Sequence, residues 1–361
     1  MANRVLMKGN EAIVRGAIAA GCRGFFGYPI TPQNEVPEFM SRLMPEAGGV
    51  FLQAESEIAA INMVYGAAST GARVMTSSSS PGISLKQEGI SYIAASELPC
   101  VIVNVQRGGP GLGNIAPSQA DYFQAVKGGG HGDYKLLTLA PWSVQECYDF
   151  VAVAFDLADA YRNPVMILAD AIIGQMIEPI VPNEIKQNIP NKDWATTGAK
   201  GRPKNVVNSL WIQAAVMEAL NNKIQAKYAL AMERDVRFAE DRTEDAELVL
   251  VAYGSTARIS RTVVDLARSE NMKVGLFRPI SLFPFPSVRL ADLAAEGKKF
   301  LVVEMSAGQM VEDVRLAVNG RSEVDFYGRM GGVVPTATEI LNHVRETYDL
   351  SNANQTEVVR R

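Results

Sequence analysis

Short runs of residues that are apolar on both faces recur along this chain, each followed by a helical pattern. Cys100-Val-Ile-Val-Asn-Val105 and Val165-Met-Ile-Leu168 show no in–out alternation. Strands of that composition must be covered on both faces, which is the situation of a parallel sheet between helix layers. The chain therefore reads as an α/β protein built on parallel sheet. In residues 1–180 the pattern places helices at Gly9–Ala20, Glu57–Thr70, Gly82–Ala95 and Ser143–Tyr161. Strands fall at Gly24–Tyr28, Gly49–Gln53, Ala72–Ser77, Cys100–Gln106, Lys135–Leu139 and Val165–Asp170. Residues 181–243 are richer in Pro, Asn and Lys, carry no β pattern, and read as a linker with one packed helix, Trp211–Arg234. Residues 244–347 resume the alternation. Leu248–Tyr253, Lys273–Phe277 and Phe300–Glu304 are its strands, Gly254-Ser255-Thr256 a turn, and Ile259–Glu270 a helix. Residues 348–361 form a polar tail expected to fray.

The length, 361 residues with 47% apolar and 20% charged, suits two domains with sizeable cores. The formal charge of −4, with acids and bases interleaved, excludes nucleic acid and an anionic membrane surface as main partners. Three scattered cysteines, Cys22, Cys100 and Cys147, fit a reduced cytoplasmic protein. Without a CxxC pair, the chain is expected to hold neither an iron–sulfur cluster nor a zinc ribbon of its own. His131 and His343 are too far apart in sequence to suggest a metal site. The start, MANRVLMKGNEAI, lacks a signal peptide's apolar run, and no uncharged apolar stretch reaches the ~18 residues of a membrane span.

Open parallel sheets bind ligands beyond the carboxyl ends of their strands. Four such ends have an unusual composition here: Pro29-Ile-Thr-Pro32, Glu55-Ser-Glu57, Ser77-Ser-Ser-Ser-Pro-Gly82 and Arg107-Gly-Gly-Pro-Gly-Leu-Gly113. On one edge of a sheet they would gather a hydroxyl, a carboxylate, backbone amides and a guanidinium. The glycine run at 108–113 has the wrong spacing for a dinucleotide fingerprint, and there is no phosphate-loop motif. The run Lys127-Gly-Gly-Gly-His-Gly-Asp-Tyr134 has the composition of a mobile loop; a surface role for His131 outweighs a catalytic one. Glu57 is the most telling residue. With Ser56 as N-cap, it opens a helix whose apolar stripe is Ala60, Ile61, Val64 and Ala68. An acid in that place either satisfies the helix macrodipole or serves a buried site. Glu55, two residues earlier, falls off the stripe.

Five ordered motifs together resemble the 2-oxoacid:ferredoxin oxidoreductases. They are Gly27-Tyr-Pro-Ile-Thr-Pro32, Ala54-Glu-Ser-Glu-Ile-Ala-Ala60, Ser79-Ser-Pro-Gly-Ile-Ser-Leu-Lys86, Gln106-Arg-Gly-Gly-Pro-Gly-Leu-Gly113 and Arg278-Pro-Ile-Ser-Leu-Phe-Pro-Phe285. The resemblance is to the α-type subunit, which carries the pyrimidine side of the thiamine diphosphate site, and it runs from about residue 5 to 345. The stretch from Met7 to Asp133 is most similar to the 2-oxoisovalerate (branched-chain) members, with 2-oxoglutarate members sharing the motifs. The resemblance implies a thiamine-binding fold followed by a domain like the carboxy-terminal domain of transketolases. It implies oxidative decarboxylation of a branched-chain 2-oxoacid to its acyl-CoA, with CoA as co-substrate and ferredoxin as acceptor.

By the same resemblance, Glu57 is the catalytic acid that hydrogen-bonds the pyrimidine nitrogen. Pro29 and Ile30 line the cofactor, and Thr31 and Arg107 face the substrate's carboxylate and oxo oxygen. Family partners hold the divalent metal with a Gly-Asp-Gly segment, which this sequence lacks; His131-Gly-Asp-Tyr134 is no substitute. The diphosphate and Mg²⁺ are therefore expected on a β-type subunit. A γ subunit and a ferredoxin-like subunit with iron–sulfur clusters are expected to complete the complex. Two rivals stand beside this reading: a 2-oxoglutarate enzyme, and a non-catalytic assembly subunit that keeps the fold without the cofactor.

Overall fold

The structure, a computed structural model, describes residues 4–358, with side chains to residue 348. Strand β1 (Val5–Lys8) runs directly into helix α1 (Gly9–Ala19). Strand and helix then alternate through β2 (Gly24–Gly27), α2 (Glu35–Glu46), β3 (Val50–Gln53), α3 (Glu57–Ser69), β4 (Val74–Ser78), α4 (Ser80–Ala95) and β5 (Cys100–Gln106). The first unit closes with α5 (Tyr122–Val126), β6 (Leu137–Leu139), α6 (Val144–Tyr161), β7 (Pro164–Asp170), α7 (Ala171–Gln175) and β8 (Ile177–Ile180). The second contains α8 (Ala214–Arg234), β9 (Phe238–Asp241), β10 (Leu248–Val251), α9 (Gly254–Ser269), β11 (Val274–Pro279) and β12 (Ser281–Phe283). It ends with α10 (Ser287–Ala295), β13 (Lys299–Glu304), α11 (Met310–Val318), β14 (Val324–Gly328) and α12 (Ala337–Val358).

The larger sheet has the order β12-β6-β7-β5-β4-β2-β3. From β6 to β3 all pairings are parallel. Every residue of β5 and β7 is buried, as their two-sided apolar composition requires. The second sheet, β14-β13-β10-β11-β9, is parallel apart from β9 at its edge.

Several features depart from the sequence reading. The segment 181–243, expected to carry no strand, supplies β9, which pairs antiparallel with β11. Gly254-Ser-Thr256, expected as a turn, is the first turn of α9. There Ser255 donates through both its amide, at 3.2 Å, and its hydroxyl, at 2.7 Å, to Asp170 Oδ2. Helix α2 falls in a stretch with no predicted element; its buried Val36, Pro37, Met40 and Met44 lie at helical spacing but are interrupted by two prolines. The ends of the first unit meet as a small antiparallel pair, β1 with β8. The expected fraying tail is instead a continuation of α12 to Val358, and residues 359–361 lie outside the described ones.

The units are interlocked. Strand β12, from the second unit, pairs antiparallel with β6 at the edge of the first sheet. The Gln119 side chain donates to Tyr253 O at 2.8 Å and accepts from Met305 N at 3.0 Å, closing the same boundary. Buried Asp170 caps α7 through Ile172 N and Ile173 N while holding Ser255. Burial raises its carboxyl above the ordinary range, and these four donors oppose the rise.

Candidate active site

Strand order sets the site. β2 lies between β3 and β4, with β5 on the far side of β4, all parallel. Their carboxyl ends therefore open on one edge, and the loops carrying Pro29–Pro32, Glu55–Glu57, Ser79–Gly82 and Arg107–Gly113 leave from it.

Glu57 stands in the first turn of α3. Ser56, in extended conformation, is the N-cap and accepts from Ala59 N at 3.2 Å. The buried face of α3 is Glu57, Ala60, Ile61, Val64 and Ala68. Glu57 is only 7% exposed, whereas Glu55 is exposed and accepts from Ser56 Oγ at 3.3 Å. Facing Glu57 is the start of α4. A Cβ on Gly82 would lie 2.6 Å from Glu57 Oε1 and 2.1 Å from Ser78 Oγ, so only glycine allows this approach. One turn on, Lys86 is fully buried, with Nζ 3.2 Å from Thr76 Oγ1 and 3.5 Å from Glu57 O. The surroundings of Glu57 are thus more polar than an apolar stripe suggests. Desolvation lowers Lys86 to about 8, and the Glu57 charge works against that fall.

Arg107 leaves the end of β5 and is 8% exposed. Its Nη1 donates to Thr31 O and its Nη2 to Leu112 O, each at 2.9 Å, so one guanidinium ties the loop after β2 to the glycine loop. Its Nε is buried without a partner among the described residues. The glycine loop turns back sharply: Asn114 N donates to Gly108 O, and a Cβ on Gly113 (φ +60°) would lie 1.8 Å from that oxygen.

Ser80, the first residue of α4, joins these parts. Its hydroxyl accepts from Arg107 N at 3.0 Å and lies 2.6 Å from Asp121 Oδ2. Burial raises the Asp121 carboxyl, while Ser80 and Asn104 donate against the rise. Ser78 Oγ, against Gly82, and Ser79 Oγ are buried without a hydrogen-bond partner among the described residues. Contacts therefore run unbroken from Thr31 through Arg107, Ser80 and the start of α4 to Glu57.

The other predicted residues are placed as follows. The Thr31 hydroxyl accepts from Asn34 Nδ2 at 3.0 Å, and it is the Thr31 carbonyl that meets Arg107. Pro29 is exposed and Ile30 half-buried, on a loop fixed by Asn10 and Gln175, which both donate to Pro32 O. His131 is exposed and set apart. Its carbonyl accepts from Ser91 Oγ and its ring meets Tyr92, in the last turns of α4. Nine residues of helix separate Ser91 from Gly82, a rise of about 13 Å. The sequence reading brought Ser80 and Gly82 to this edge within the segment Ser77–Gly82 without giving either a role, and it missed Lys86 and Asp121 as parts of the cluster. Pro81, in the first turn of α4, is a helix-start signal that would have moved the helix forward to Ser80. No pattern in the sequence marks Lys86 as buried.

Residues 15–243 match the family described as "Pyruvate flavodoxin/ferredoxin oxidoreductase, thiamine diP-bdg", and residues 246–340 match "Pyruvate:ferredoxin oxidoreductase core domain II". The chain is 53% identical over 348 residues to ketoisovalerate oxidoreductase subunit VorB of Methanothermobacter marburgensis, covering 96% of this chain and 99% of the relative. It is 38% identical over 372 residues to 2-oxoglutarate synthase subunit KorA of Methanothermobacter thermautotrophicus, covering 95% and 99%. Among solved structures, the 2-oxoglutarate:ferredoxin oxidoreductase from Magnetococcus marinus, with 2-oxoglutarate, coenzyme A and succinyl-CoA bound, matches with a TM-score of 0.84 at 27% identity. That match covers 96% of this chain, which spans 65% of the length of the Magnetococcus chain. A split-gene transketolase, an inactive β4 tetramer, matches at 12% identity with a TM-score of 0.61 and covers 95% of this chain and 99% of its own, a likeness of fold alone.

Proposed function

The chain belongs to the pyruvate flavodoxin/ferredoxin oxidoreductase family, and on that premise we propose that it is the pyrimidine-side subunit of a branched-chain 2-oxoacid:ferredoxin oxidoreductase. The substrate is 2-oxoisovalerate, taken to its acyl-CoA while ferredoxin is reduced. The observation that carries this reading is Glu57: buried at the head of α3, off a sheet edge, against the glycine that lets a ligand-facing carboxyl sit there. The preference for a branched side chain rests on the 53% identity to the ketoisovalerate relative, against 38% to the 2-oxoglutarate one.

The residues fit the aminopyrimidine side of thiamine diphosphate. A buried carboxyl and the Ser78 hydroxyl both approach Gly82, and the Ser78 and Ser79 hydroxyls are buried without a hydrogen-bond partner among the described residues. When bound, the cofactor supplies the nucleophilic carbon and the electron sink for decarboxylation. Glu57 presents its carboxyl to the pyrimidine nitrogen and holds or passes the proton there. Pro29 and Ile30 wall the ring, and Thr31 faces the substrate. Arg107 has spent only one N–H of each Nη on carbonyls, which leaves donors for a carboxylate.

We assign Mg²⁺, the diphosphate side and the iron–sulfur clusters to β-type, γ and ferredoxin-like partner subunits, because the sequence lacks Gly-Asp-Gly and CxxC. CoA enters as co-substrate. We assign cofactor binding to residues 1–180 and assembly to residues 244–347; the segment 181–243 joins them and adds β9 to the second sheet. Among the described residues no helix is long and apolar enough to cross a membrane, and the three cysteines are free, which supports a cytoplasmic complex.

The test is to purify the assembled complex and compare viologen-dye reduction with 2-oxoisovalerate, 2-oxoglutarate and pyruvate. The highest kcat/KM is expected for 2-oxoisovalerate. A clear preference for 2-oxoglutarate would overturn the substrate assignment, and no 2-oxoacid-dependent turnover would overturn the catalytic one.

A further inference from the structure

Lysine is among the residue types least often fully buried, yet Lys86 has no exposed surface. It stands four residues after Gly82, on the same face of α4. Gly82 is where the Glu57 carboxyl touches that helix. The Lys86 ammonium has three N–H donors. Its hydrogen-bond partners among the described residues are Thr76 Oγ1, at 3.2 Å, and Glu57 O, at 3.5 Å. Through Lys86, α4 thus contacts both the first turn of α3 and the middle of β4. Packing alone does not call for lysine here, since methionine would fill a similar volume without desolvating a charge.

Of the charged groups on elements packed against α4, Glu57 is the one that faces Lys86. Strand β4 offers the Thr76 hydroxyl. Asp121 reaches α4 at Ser80, about 9 Å of helix before Lys86, and His131 lies near Ser91 beyond it.

We propose that Lys86 is a positioning residue for Glu57, a sealed ammonium that fixes where the Glu57 carboxyl points when the aminopyrimidine binds. The proposal rests on the assignment of Glu57 to the cofactor made above. Desolvation brings Lys86 to about 8. The charge is therefore present at neutral pH and is lost in the mildly alkaline range, and its attraction for the Glu57 charge is lost with it.

The experiment uses the assembled complex as wild type, Glu57→Gln and Lys86→Met, with thiamine diphosphate titrated against each and kcat followed across pH. Wild-type kcat is expected to fall on the alkaline side. Lys86→Met is expected to bind thiamine diphosphate about tenfold more weakly and to lose about tenfold or more in kcat at neutral pH. Its alkaline fall should be absent and its melting temperature unchanged or raised. Should Lys86→Met not assemble, Lys86→Gln, which keeps polarity without charge, carries the same expectations.

A neutral variant with wild-type cofactor affinity and kcat would overturn the proposal. So would lost activity with the alkaline limb intact, which gives Lys86 a packing role only. Both outcomes leave Glu57 in place if Glu57→Gln is inactive. A Glu57→Gln complex with wild-type turnover would instead overturn the assignment of Glu57 itself.

Discussion

Replacing Gly82 by alanine adds one methyl group at the point where α3, α4 and β4 meet. The new Cβ would lie 2.1 Å from Ser78 Oγ, 2.6 Å from Glu57 Oε1 and 3.1 Å from Glu57 Cγ, where ordinary contacts begin at 3.4 Å. Ser78 must retreat by ~1.3 Å and the Glu57 carboxyl by ~0.8 Å, if α4 holds its place. Overpacking of this kind costs about 1–3 kcal/mol, and the helix propensity gained on leaving glycine returns about 1 kcal/mol. The net change in stability is therefore small, about 0–2 kcal/mol. The effect on chemistry is larger, because an error of ~1 Å in a positioned group costs about 100-fold in rate. Gly66→Ala on α3 is the control, since a Cβ there meets nothing within 4 Å. The assay pairs dye reduction by the assembled complex with its thermal melt. The account predicts a ~100-fold loss of kcat for Gly82→Ala, with a melt close to wild type, and no loss for Gly66→Ala. Near-normal kcat in Gly82→Ala would refute the reasoning, for it would show that the position of the Glu57 carboxyl does not limit the reaction.

Arg107→Met should lower kcat/KM for the 2-oxoacid by about 30-fold or more and change thiamine affinity less. Lost thiamine affinity with unchanged substrate kinetics at saturating cofactor would place Arg107 on the cofactor or in the scaffold. Glu304→Gln should destabilise the protein by about 2–3 kcal/mol, read in a thermal or denaturant melt. The Glu304 carboxylate accepts from Ser306 Oγ and from the amides of Gln309, Met310 and Val311, and a carboxamide would turn an N–H towards one of them. Burial raises the Glu304 carboxyl, so between its unfolded and folded values the native state holds the extra proton and stability falls as pH rises. Glu304→Gln should remove that slope, and an unchanged slope would mean that another group sets it. The chain purified alone should melt cooperatively yet reduce no dye with any 2-oxoacid; robust turnover without partners would contradict the split site.

Much of the α/β architecture was legible because two-sided apolar strands have few alternatives. The sequence range Cys100–Gln106 coincides with β5, and the stripe predicted for α3 is its buried face. The ends of strands showed where chemistry could gather. Strands β9 and β12 were not legible, because a short edge strand needs a partner from a distant segment more than a pattern of its own. Helix α2 was hidden by Pro37 and Pro45, which read as breaks although one lies in the first turn and the other in the last. The turn read at Gly254–Thr256 follows local propensity, and the tertiary bond to Asp170 overrides it. In the site, Glu57 and Arg107 stood out by type and position. Lys86 and Asp121 did not, since the burial of Lys86 and the half-buried place of Asp121 come from the packing around α4 and leave no local mark.

The central claim is that Glu57, and not its neighbour Glu55, carries the proton at the cofactor. Glu57 and Glu55 are two positions apart, one buried in the first turn of α3 and the other exposed just before its N-cap. The direct measurement is kcat for 2-oxoacid-dependent dye reduction by the two assembled variants at saturating thiamine diphosphate. The account predicts a loss of about 100- to 10,000-fold for Glu57→Gln and near wild-type rates for Glu55→Gln. Equal losses in the two variants, or near-normal turnover in Glu57→Gln, would contradict it.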